Sequence, residues 1–146
     1  MAALSWMLVT GPVEADAIRA WLGLLPLDLG NRSPYDAADA LTGGRPVTGG
    51  ISPPDGRQLA VRLTVDTGGV VMEMDGTAGR DAWWCGLVTE AGRALRADTV
   101  ALVDDPSALL PVLLWVSTTA LSDFADARQR AAHVESQWDG ALLLHR

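Results

Sequence analysis

The sequence predicts an α+β domain, an antiparallel sheet with two helices on one face. Three observations predict it. Leu59 to Thr67 alternates, with Leu59, Val61, Leu63 and Val65 on one side and Ala60, Arg62, Thr64 and Asp66 on the other. Gly68-Gly69 follows as a two-residue turn signal, and Val70, Met72 and Met74 then alternate with Val71, Glu73 and Asp75. That is the pattern of a hairpin with one buried face. A strand and a helix precede the hairpin, and a helix and a strand follow it, giving the order strand, helix, strand, strand, helix, strand. This order is the split βαβ of ferredoxin-like βαββαβ domains.

Each element has its own justification. Leu4 to Thr10 is a short apolar run closed by Gly11-Pro12, and it reads as the first strand. Pro12 suits a first helical position, with Thr10 or Gly11 as the cap. Glu14 and Asp16 then sit where the helix dipole favours negative charge. Val13, Ala17, Trp21 and Leu24 recur at helical spacing until Pro26 stops the helix. Residues 27–57 read as a long Gly/Pro-rich loop, with five of the chain's eight prolines if Pro26 is counted. One short helical turn fits within it, over Tyr35 to Leu41. Loops this long inside a compact domain are usually functional or mobile.

After the hairpin, Gly76 to Gly79 is a turn, and Arg80 or Asp81 opens a helix that runs to Ala97. Its buried stripe is Trp84, Leu87, Val88, Ala91 and Leu95, with Glu90, Arg93 and Arg96 facing water. Val100 to Val103 is the fourth strand and completes a core over 4–105. An extension over 106–146 follows. Asp105-Pro106-Ser107 is a helix start interrupted by Pro111, and 112–118 fits helix or strand equally well. Ser122 caps a helix from Asp123 to Gln137, with Phe124, Ala127, Ala131, Val134 and Trp138 as its apolar stripe. Asp139-Gly140 then turns into a last strand, Ala141 to Leu144.

Composition narrows the function. The 146 residues form one domain, 49% hydrophobic and 20% charged, which is globular and not disordered. Eighteen acidic residues stand against 11 basic ones, all Arg, for a net charge of −7. That charge repels phosphate backbones, so no nucleic-acid partner is expected, and it favours a basic protein partner. The most apolar stretch, Ala108 to Val116, contains Pro111 and is too short to span a bilayer. The opening Met-Ala-Ala-Leu-Ser-Trp has no basic region and no long apolar stretch, so no membrane role and a cytoplasmic location are expected.

Four groups of residues are candidates for chemistry. The carboxylates Asp66, Glu73, Asp75, Asp104 and Asp105 fall at strand ends, where convergence would hold Mg²⁺. No Gly-rich phosphate cradle accompanies them, and each has a simpler role on a polar strand face or a helix cap. Cys85 with His133 would make a nucleophile and base, but Cys85 lies in an apolar run and reads as a buried, inert thiol. Six tryptophans against one Phe and one Tyr are the oddest feature of the composition. Trp6, Trp21 and Trp84 read as core. Trp83 is turned about 100° from the buried stripe of its helix, so it is partly exposed or lies under the long loop. Tryptophan is enriched at binding hot spots. The acidic surface together with the 27–57 loop would suit a basic protein. No cofactor and no metal are expected.

The layout resembles small acidic immunity proteins of bacterial polymorphic or contact-dependent toxin systems. Three passages carry the resemblance. LSWMLVTGPVEADAIRAWLGLL, Leu4 to Leu25, looks like their opening strand and helix. Arg57 to Asp105, with the hairpin, the helix DAWWCGLVTEAGRALRA and the strand TVALVDD, looks like their central half. WDGALLLHR, Trp138 to Arg146, is similar to their terminal strands. The resemblance implies a cytoplasmic protein that binds and blocks a cognate toxin without catalysis. The expected function is therefore binding and neutralising a partner protein, with Asp66, Glu73, Asp75, Trp83, Asp104 and Asp105 as candidate contacts. The alternatives are a ligand-sensing ferredoxin-like domain and a carboxylate- and metal-dependent enzyme.

Overall fold

A computed structural model gives the fold. The structure describes residues 4–11, 13–66, 69–79, 81–104, 112–117, 133–138 and 141–145, the last two ranges as backbone only. The elements in chain order are β1 (Leu4–Thr10), α1 (Ala15–Leu24), α2 (Pro34–Thr42), β2 (Val47–Ile51), β3 (Leu59–Asp66), β4 (Gly69–Asp75), α3 (Ala82–Ala94), β5 (Thr99–Val103), β6 (Leu113–Ser117), β7 (His133–Trp138) and β8 (Ala141–His145). The strands form one antiparallel sheet in the order β2-β3-β4-β1-β5-β6-β8-β7. The three described helices pack on one face, where a single apolar core joins them to the strands.

The α+β class follows from the sequence, and the expected four-stranded sheet does not. The sheet has eight strands, so its overall order differs from that of a ferredoxin-like sheet. Two corrections account for this. First, 27–57 is no plain loop. Ser33 caps α2 by accepting the Asp36 N–H at 3.1 Å, Pro34 opens the helix, and Ala37, Ala38, Ala40 and Leu41 are buried. β2 then pairs with the outer side of β3, its Val47 and Ile51 facing the core. The turn residues hid these elements, because Gly49-Gly50 reads as a breaker. The structure needs Gly49, where a Cβ would meet the Asp28 carbonyl; Gly50 exchanges two backbone hydrogen bonds with Asp28, which any residue could make. The bridge covers part of an edge strand that would otherwise offer open hydrogen-bonding groups.

Second, the extension is built of strands wherever it is described. Residues 113–117 are strand β6, and 133–137, expected as the end of a helix, belong to strand β7. The expected last strand is present as β8. Pairing within the sheet overrides the helical spacing of Val134 and Trp138. Residues 123–132, the rest of the expected helix, lie outside the described residues. The first helix also begins later than the charge pattern suggests, at Ala15, with Glu14 as its N-cap.

Alternation decides what each strand buries. Met7, Val9, Val61, Leu63, Met72, Met74, Val100 and Leu102 point into the helix-covered face. Trp21 and Trp84 are the largest side chains sealed beneath the helices. Ser5 is fully buried on the same face. Its Oγ donates to the Gly76 carbonyl at 2.6 Å and accepts the Ala78 N–H at 2.9 Å, which ties the turn after β4 to the first strand. Arg57 fastens the same turn from outside, through Thr77 and Asp55. The Arg57 N–H, and after it the guanidinium, hold the Asp55 carboxyl below its usual range.

Candidate functional site

The opposite face of the sheet is built from the other half of each alternation. β1 places Leu4, Trp6, Leu8 and Thr10 there. β4 adds Val71, Glu73 and Asp75, and β3 adds Ala60, Arg62, Thr64 and Asp66. The register fixes the neighbours: Leu4 lies opposite Asp75, Trp6 opposite Glu73, Leu8 opposite Val71, and Arg62 opposite Glu73 from the far side. On the other flank of β1, Trp6 faces Val103 and Leu8 faces Ala101. Among the described residues no helix lies on this face.

A solvated sheet face is normally polar, and a strand apolar on both sides is the mark of burial on both. β1 is such a strand. Leu4 and Leu8 remain 38% and 37% exposed, and Trp6 is half-buried. Toward β6 the same face closes, since Val116 points that way and is buried. The open part is therefore the β3–β4–β1 half, where an apolar row on β1 runs beside an acidic row on β4. Among the described residues there, three carboxylates, Asp66, Glu73 and Asp75, stand with one guanidinium, that of Arg62.

The sequence candidates divide between two sides of the molecule. Glu73 and Asp75 are exposed side by side on the open face. Asp66 shares that face but lies at the turn end of the hairpin, opposite Gly69, while Asp75 lies at the far end, opposite Leu4. Asp104 follows β5 at the same end as Asp75, with β1 between them. Asp105 lies outside the described residues. Trp83 is on the helical side. Asp81 caps α3 by accepting the N–H groups of Trp83 and Trp84, and the two rings meet edge to face at 4.9 Å. Trp83 is half-buried above a shallow hollow that it shares with Pro26 and Glu90. It cannot join Glu73 and Asp75 in one contact surface, because the sheet stands between them.

Two further expectations change. Trp6, read as core, is on the open face. Cys85, read as buried, is half-buried against the core edge. Among the described residues no three His, Cys, Asp or Glu side chains come together as a metal-binding group. The residues that sequence reasoning missed are Leu4, Trp6 and Leu8. Their signal was present in the unbroken run Leu4-Ser5-Trp6-Met7-Leu8-Val9, which is apolar at alternate positions in both phases apart from Ser5.

Together the fold and this face define an α+β protein with one side of its sheet packed by helices and part of the other left open by the described residues. No protein-family model matches the chain, and no curated protein does. Among the described residues no helix is long and apolar enough to cross a membrane.

Proposed function

We propose that this protein binds and neutralises a partner protein, in the manner of the bacterial immunity proteins its layout resembles. One observation carries the reading. The central strand β1 presents Leu4, Trp6 and Leu8 on a face that the described helices leave uncovered, beside the carboxylates Glu73 and Asp75. An aromatic and aliphatic centre with a charged rim is the anatomy of a protein interface. The acidic rim and the net charge of −7 suit a basic partner, whose association they would speed. A cytoplasmic location goes with this reading. So does a ferredoxin-like origin for the inner strands: β3, β4, β1 and β5 are adjacent in the order in which two interleaved βαβ halves would set them.

The test is co-expression with the products of the neighbouring genes, then size-exclusion chromatography at low and high salt. The expected result is a stoichiometric complex with one small basic toxin, loss of the toxin's activity, and association that slows as salt rises. Failure of every neighbouring product to form a complex would remove the reading.

A further inference from the structure

On that reading of the open face as a docking surface, we infer that the partner meets it with an arginine side chain, stacked on Trp6 and paired with Glu73 and Asp75. Trp6 and Glu73 are register partners, and cross-strand partners on one face have Cβ atoms about 4.5–5.5 Å apart. Asp75 is next along β4 on the same face, opposite Leu4. An indole with two carboxylates along its β4 side offers two things to one cation. The ring face attracts it, and the carboxylate oxygens accept its N–H groups.

Guanidinium suits that pair better than ammonium does. It is planar, so it lies flat on an indole while its edge meets a carboxylate, and it is less strongly hydrated. Leu4, Leu8 and Val71 around the site would exclude water from the contact and strengthen it. The carboxylates are not already committed. Neither Glu73 nor Asp75 takes part in the ion pairs Arg19–Asp39 and Arg57–Asp55, and Arg62, the register partner of Glu73 on the far side, forms no ion pair with it. A second copy of this chain fits poorly, since stacking two such faces sets the acidic rows against each other in molecules that each carry −7.

The experiment uses the full chain, with its six indole N–H signals followed by NMR during titration with a short alternating glycine–arginine peptide. Trp6→Phe assigns one signal. Matched lysine and glutamate peptides serve as comparisons. The arginine peptide should move the Trp6 indole signal selectively. The lysine peptide should bind several-fold more weakly and the glutamate peptide not at all. The double substitution Glu73→Gln with Asp75→Asn should weaken the arginine peptide at least tenfold with the melting temperature unchanged.

Equal binding of lysine and arginine peptides, or indifference to the double substitution, would overturn the inference. So would a Trp6 indole already shielded from acrylamide in the free protein, because the face would then be covered without a partner. Salt-resistant dimers abolished by Leu8→Ser would also overturn it, making the occupant a second copy. A toxin that binds the double variant unchanged would sink the arginine contact and leave the neutralising function standing. A selective peptide response without any protein partner would do the reverse.

Discussion

Arg96 is the one described non-glycine residue with a positive φ, 52°. It directly follows Leu95, the C-cap of α3. The Ala97 N–H reaches back to the Gly92 carbonyl and the Arg96 N–H to the Arg93 carbonyl. This pair of bonds is the Schellman ending, whose left-handed position favours glycine. An L side chain there costs about 1 kcal/mol. Arg96→Gly should therefore stabilise the protein by about 1 kcal/mol, a gain of a few degrees in melting temperature. Arg96→Ala should not, because alanine carries the same Cβ. Thermal unfolding of the two variants side by side checks this, and equal melting temperatures would refute it.

At the level of elements, the seating of α3 on the sheet depends on a missing side chain. Gly92 faces β6, and a Cβ there would press into the indole ring of Trp115. Helix propensity alone favours alanine over glycine by about 1 kcal/mol. Overpacking a closed contact costs about 1–3 kcal/mol. The second effect is larger because the atoms a Cβ would meet belong to the rigid ring of a buried Trp115 and not to the end of a flexible chain. Gly92→Ala is therefore expected to lose about 1 kcal/mol net by denaturant unfolding. A stabilised variant would mean that the helix sits farther from β6. Gly79 makes a similar approach to the Trp84 ring, so both ends of α3 are set by glycine against tryptophan.

For the whole molecule, the two faces of the sheet should differ in what they contribute to stability. Met7 and Leu8 are neighbours on the central strand, one sealed under the helices and the other 37% exposed. Met7→Ser should cost on the order of 3 kcal/mol, the range for emptying a core site. Leu8→Ser should cost less than about 1 kcal/mol and reduce partner binding instead. Urea unfolding of each variant, alongside its complex formation, separates the two roles. If Leu8→Ser were as damaging as Met7→Ser, the open face would be part of the folding core and the docking surface would fall.

Local patterns determined a good part of this protein. The hairpin Leu59–Asp75, the stripe of α3 and the first strand were legible because alternation and helical spacing record burial on one side. The sideways turn of Trp83 was legible for the same reason. What only the tertiary structure decided was which surfaces meet. α2 and β2 hide in a glycine- and proline-rich stretch, because Gly49 serves a close approach to Asp28 while the pair Gly49-Gly50 looks like a breaker in isolation. Residues 133–138 carry helical spacing but form a strand, because pairing with β8 outweighs a propensity worth tenths of a kcal/mol per residue. The carboxylates and Trp83 looked like one site along the chain. They part company in space, since which side of a sheet a residue faces depends on register and on where the helices pack.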